Sequence, residues 1–168
     1  MQKTLAFLAL AGALATAQAH VVLEYQVAPA DSSYKATFKV GHGCGPSATR
    51  QIAVDIPAAM RGARPMPKPG WRIEVEKTGD KVTRITWTAK TEEDKLPASY
   101  YDEFVLVAQT PAQAGPVYWP VAQVCDAGRS DWTQVPAAGQ SPSELKFPAA
   151  VLEVLPAGPD AGAHHHHH

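Results

Sequence analysis

Residues 71–89 read WRIEVEKTGDKVTRITWTA, and they decide the fold. Ile73 and Val75 alternate with Arg72, Glu74 and Glu76; Val82, Ile85 and Trp87 alternate with Lys81, Arg84 and Thr86, with a slip near Thr83. A period of two places one set of side chains on each face of a strand. Thr78-Gly79-Asp80 between the two runs supplies the residues of a hairpin turn. Similar β-branched and aromatic runs flank this pair: Val21 to Val27, Tyr34 to Val40, Gln51 to Ile56, Glu103 to Gln109, Val117 to Val124 and Leu145 to Val154. Fifteen prolines and twelve glycines punctuate the chain, and no apolar period near 3.6 lasts long enough for a substantial helix. About eight short strands with regular turns predict an all-β chain, an antiparallel β-sandwich of immunoglobulin or cupredoxin-like type. The proline-rich stretch Arg64 to Gly70 is expected to be an extended loop leading into Trp71.

Both ends stand outside that pattern. Residues 1–19 join Met-Gln-Lys-Thr to an apolar run, Leu5 through Leu14, closed by Ala17-Gln18-Ala19, the layout of a secretory signal with an A-x-A cleavage site. Residues 156–168 are a Gly/Pro-rich tail ending in five histidines, a run that suits either an expression tag or a natural metal-loading tail. The folded body is therefore expected over residues 20–155, as one exported, periplasmic domain.

Lys and Arg number 15 against 16 Asp and Glu, with no block of like charge. Nucleic acid and anionic membrane surfaces are poor partners for such a chain. Past the signal no apolar run approaches the ~20 residues that cross a bilayer, so no membrane span is expected in the mature chain. No Cys follows the cleavage site, so a lipoprotein anchor is not indicated. Cys44 and Cys125 are the only cysteines. In an oxidising compartment they are expected to form one long-range disulfide, worth on the order of 4 kcal/mol in the loop-entropy treatment. The alternative is a thiolate copper site, since soft sulfur favours Cu(I). Either way the segments around Cys44 and Cys125 should be neighbours.

Cleavage after Ala19 would make His20 the first mature residue. Its α-amine and imidazole Nδ1 could then close a chelate ring on a metal ion. Amines and imidazoles, with ordinary pKa values of about 8 and 6.5, yield their protons to a competing cation at neutral pH. Such nitrogen pairs suit Cu(II), which heads the divalent affinity order. The plainer alternative is an arbitrary first residue after an A-x-A site. Outside the terminal run His42 is the only other histidine, set in Gly41-His42-Gly43-Cys44-Gly45. It reads as an exposed loop residue or as a second imidazole ligand. Met60 and Met66 read as loop or gap-filling residues rather than a Cu(I) site.

Cys125 to Trp132 carries two acids and an indole, which read either as a solvated loop with its Trp folded on the sandwich edge or as a metal-site wall. In the second reading Asp126 supplies an anionic ligand, with Asp131 and Trp132 beside it. Glu24 is the other acid near His20, but four residues of strand span about 13 Å, so the two share an ion only if the N-terminus curls back. No G-x-S-x-G, H-E-x-x-H, Gly-rich phosphate loop or EF-hand pattern occurs, so enzyme motifs are absent.

Taken in order, His20-Val-Val-Leu-Glu24, Tyr34 to Val40, His42-Gly-Cys44-Gly, Lys68-Pro-Gly-Trp71, Ile85-Thr-Trp87, Tyr100 to Phe104 and Cys125 through Trp132 resemble the YcnI-like family of exported bacterial domains. The resemblance covers nearly all of residues 20–155. It implies a β-sandwich and a Cu(II) site made by a single-histidine brace, the amine and Nδ1 of His20, with Trp132 beside it and Asp126 or Glu24 as acid. Many relatives carry Glu-Ala-x-Ala-Gly where this chain reads Val27-Ala-Pro-Ala-Asp31, so a Glu at that place is missing. The function this implies is copper buffering, trafficking or delivery, without catalysis, to or from another extracytoplasmic copper carrier or a membrane copper transporter. The competing readings are a copper mono-oxygenase with a two-histidine brace, His20 and His42, and a metal-free adhesion or structural sandwich.

Overall fold

A computed structural model describes residues 20–158. The signal sequence expected over 1–19 and the histidine run of the tail lie outside the described residues. Within them the chain forms β1 (Val22–Leu23), β2 (Val27–Pro29), β3 (Ser33–Val40), β4 (Thr49–Asp55), β5 (Arg61–Pro65), β6 (Trp71–Thr78), β7 (Lys81–Ala89), β8 (Asp102–Gln109), β9 (Gly115–Trp119), β10 (Val121–Cys125), β11 (Arg129–Trp132) and β12 (Ala150–Leu155), with one 3-10 turn at Pro142–Glu144. The expected all-β class holds. The strands assemble as a four-stranded sheet β1-β3-β8-β5, a five-stranded sheet β11-β10-β4-β7-β6 and a three-stranded sheet β2-β12-β9.

The hairpin read from residues 71–89 is present: β6 and β7 pair antiparallel from Trp71↔Ala89 to Thr78↔Lys81, with the register slip at Glu76/Lys77. Its apolar face begins in the core and ends in solvent, since Trp71 is buried and Val75 exposed. The four- and five-stranded sheets meet through aromatic rings. Phe104 of β8 lies 4.9 Å from Trp71 and 5.9 Å from Trp87, both edge-on, while Phe38 of β3 meets Trp119 of β9 at 5.6 Å. Edge-to-face pairs add to the area such large rings remove from water.

Four details differ from the sequence expectation, each for a local reason. Val21 to Val27 is two strands: after Glu24 bonds the Thr37 carbonyl the chain leaves β3, and β2 instead runs parallel to β12. Val117 to Val124 is also two strands. Pro120 has no N–H to donate, and at that residue the chain passes from the three-stranded sheet to the five-stranded one. The last strand starts at Ala150 rather than Leu145, because Pro142–Glu144 forms the 3-10 turn and Pro148 follows. Finally, Arg61–Pro65, at the mouth of the proline-rich stretch, is an edge strand on β8 with a bulge between Arg61 and Arg64. An edge is where prolines and bulges fit a sheet.

Asp31 has φ +49°. It occupies the position where the resembled pattern carries Gly, and the left-handed turn explains why glycine suits that place. Here Arg61 pairs with the Asp31 carboxylate at 2.5 Å.

Cys44 and Cys125 are bonded, with their Cα atoms 6.0 Å apart. The sulfurs are committed to each other, which removes the thiolate copper alternative and fastens the loop after β3 to the end of β10.

Candidate metal centre

The site is built on the β10–β11 hairpin. Val121 pairs with Trp132 and Gln123 with Ser130, while on its other edge β10 pairs with β4. Alternation along β10 sends Val121, Gln123 and Cys125 inward. Gln123 is therefore a buried polar side chain, only 1% exposed, and it is fully engaged. Its Oε1 accepts from Trp132 Nε1 at 3.1 Å; its amide donates to the His42 carbonyl at 2.7 Å and to Thr49 Oγ1 at 2.8 Å. Burial makes each of those partners matter, because an unpaired amide there costs about 1–3 kcal/mol.

Trp132 is the ring around which the histidines gather. His20 packs against it edge-on, centroids 5.6 Å apart and planes at 90°. His42 lies 6.4 Å away at 65°, and Phe147 closes a further side at 5.3 Å. The structure thus brings together three of the residues singled out from sequence, His20, His42 and Trp132. His20 Nε2 is buried without a hydrogen-bond partner. His42 Nδ1 bonds the Gly43 carbonyl. Beside His20 opens a cavity of about 330 Å³, lined among others by Leu23, Gln26, Pro148 and Ala150.

The acids are held elsewhere, each by a cation. Asp126 accepts from Lys95 at 2.6 Å, Asp131 pairs with Arg129 at 2.6 Å, and Glu24 with Lys39 at 2.9 Å. The Asp126 carboxylate, and Glu92 after it, hold the Lys95 ammonium above the ordinary lysine range. Among the described residues no three His, Cys, Asp or Glu side chains converge as a ready metal cage. Met60 is buried in the core and Met66 is half exposed just past the end of β5, so the two methionines do not share an environment.

Gln123 and Phe147 were not among the residues picked out from sequence. A signal for Gln123 existed, since it stands two residues before Cys125 and two after Val121 and so shares their inward face. Phe147 lies in a stretch of irregular backbone, where no period marks which side chains turn in.

Comparison with known proteins gives three findings. A family model described as "Domain of unknown function (DUF1775)" matches residues 20–154. The copper-binding protein CutI of Bacillus subtilis strain 168 is 28% identical over 124 residues, which are 71% of this chain and 57% of that protein. The chain thus spans little more than half the length of that relative. A crystal structure of an uncharacterized protein from Nocardia farcinica, described as revealing an immunoglobulin-like fold, superposes with a TM-score of 0.71 at 28% identity, covering 83% of this chain and 99% of that one.

Proposed function

The chain belongs to the DUF1775 family, the YcnI family that its motifs resemble, and on that premise we propose that it is an exported, extracytoplasmic Cu(II)-binding protein that buffers or hands on copper. Copper is its cargo, and no catalytic step is assigned to it. The supporting observation is the pairing of His20 with Trp132, at the residue that cleavage after Ala19 would make the N-terminus. The name of the B. subtilis relative points to the same metal.

Nδ1 is the imidazole nitrogen nearest its own backbone, and with the freed α-amine it closes a six-membered chelate. The fit can be judged on this structure. With Nε2 of His20 buried among protein atoms, Nδ1 is the ring nitrogen left for a metal shared with the amine. Two nitrogen donors suit Cu(II). The indole of Trp132 bounds the site, and the Gln123 hydrogen bond fixes that indole. Asp126 and Glu24 remain the candidate acids; either must leave Lys95 or Lys39 to reach an ion, and otherwise water completes the coordination. Transfer to another copper carrier or to a membrane copper transporter follows from a site at the chain's first residue, where a partner's ligands reach the ion without opening the fold.

The test is titration with Cu(II) of protein ending at residue 158 and beginning at His20, followed by calorimetry or tryptophan emission. One tight site with quenching is expected. Absence of binding in protein whose N-terminus mass spectrometry has verified overturns the reading.

One observation favours a second reading, a two-histidine brace of the kind a copper mono-oxygenase uses: His42 packs on the same indole as His20. The two readings part on nitrogen count. In the single-histidine brace, His42→Ala leaves the electron paramagnetic resonance spectrum of the copper-loaded protein with its nitrogen couplings intact. Loss of one nitrogen coupling in His42→Ala would make His42 a ligand.

A further inference from the structure

We infer that Gln123 is the positioning residue of the metal centre: one buried carboxamide sets both the orientation of Trp132 and the placement of the His42 loop. The inference rests on the copper reading above and assigns a role to a residue outside the candidate ligands.

Gln123 lies between β11, whose Trp132 meets His20, and the loop that carries His42. On one side its carbonyl oxygen takes the indole N–H of Trp132, which commits the polar edge of that ring to the protein interior and leaves the remaining ring surface to His20, His42 and Phe147. On the other side its NH2 group uses one proton on the His42 carbonyl and the other on Thr49 Oγ1. Thr49 is itself fully buried and bridges β4 to Leu96. The amide therefore joins β11, β4 and the loop after β3. Other groups at this end of the sandwich do not offer the same combination. The Cys44–Cys125 bridge ties the same loop to β10, but two residues further along each chain segment.

Glutamine is the side chain that meets this demand. A carboxamide accepts at one atom and donates twice at the other. Methionine matches its length with neither function. A neutral glutamic acid keeps the acceptor for the indole and one donor; burial favours that neutral form.

The test compares Gln123→Met and Gln123→Glu in mature protein lacking the histidine run, alone and in a Trp132→Phe background. Without copper, the Trp132 indole N–H resonance of Gln123→Met is expected to move and to exchange faster with solvent, while that of Gln123→Glu keeps its protection. Cu(II) affinity is expected to fall about 10- to 100-fold in Gln123→Met, the range typical of a group that orients a metal site from behind, and to stay within about threefold in Gln123→Glu, since its acceptor survives. In the Trp132→Phe background Gln123→Met should cost clearly less than it does alone, because the two changes act on one contact. Equal affinity for wild type and Gln123→Met overturns the inference, as does equal loss in both variants. Should Gln123→Met not fold, wild-type protein decides: a Trp132 indole proton that exchanges as fast as an exposed one overturns it. If wild-type protein binds no Cu(II), the functional reading fails instead, and the indole proton still reports on the contact.

Discussion

Mature protein with alanine in place of His20 is expected to lose Cu(II) affinity by well over 100-fold. Groups that only orient a ligand are worth 10- to 100-fold in metal affinity, and His20 is proposed to supply both donor atoms of the chelate, of which alanine keeps one. Acetylating the His20 amine should do comparable damage while keeping the imidazole, because it turns the α-amine into an amide whose lone pair is delocalised and supplies no new amine. The two altered proteins share a signature: binding fails while the thermal unfolding midpoint moves little, since His20 precedes β1 and donates no hydrogen bond to the sheets. Competition titration against a chelator of known copper affinity measures both. If the acetylated protein binds as well as the unblocked one, the amine is not a ligand and the brace is refuted. Acid should act in the same direction as these changes. The amine and imidazole must be unprotonated to bind, so affinity is expected to fall as pH is lowered.

The second large effect concerns stability. Cys44 and Cys125 are 81 residues apart in sequence, and closing a loop of that size restricts the unfolded chain by an amount worth about 4.5 kcal/mol. The double change Cys44→Ser, Cys125→Ser is therefore expected to lower the free energy of unfolding by roughly 3–5 kcal/mol, read from urea melts monitored by circular dichroism. Copper binding should weaken without vanishing. His20 does not depend on the bridge, whereas the His42 loop and the end of β10 do. A folded double variant with no copper affinity would show that the site depends on the bridge far more than this geometry implies.

The residues that could be read correctly from sequence were those whose environment is set by near neighbours. Residues 71–89 alternate apolar with polar side chains along both strands, and the turn between them is local; a period of two suffices to find the hairpin. The bonded cysteines follow from their number and from the expectation of export that residues 1–19 raise. The edge strand Arg61–Pro65 was hidden because its pairing with β8 is long-range and its Arg, Gly and Pro content reads as loop. The passage at Pro120 was hidden for a related reason: an apolar run gives no sign of which sheet each half joins. At the metal centre, the nearness of His20 to Trp132 was implied by family resemblance, whereas the Lys95–Asp126 and Lys39–Glu24 pairs depend on which cations the fold sets beside each acid. Charge patterns along the chain do not carry that information. Gln123 shows the cost of reading polarity as exposure, because its strand position already placed it inward.

The parallel pairing of β2 with β12 has a practical consequence for handling the molecule. His20 lines the same cavity as Ala149, Ala150 and Val151, at the start of β12, while the chain leaves that strand five residues later at Leu155, about 17 Å away at 3.3 Å per residue. Attachment to a sensor chip through the C-terminal side of Leu155 would therefore hold the protein by one pole and present residue 20 at the other. In that orientation the end carrying His20 stays open to an arriving protein, and coupling through lysines, which include Lys39 and Lys95 near the candidate acids, would not preserve it.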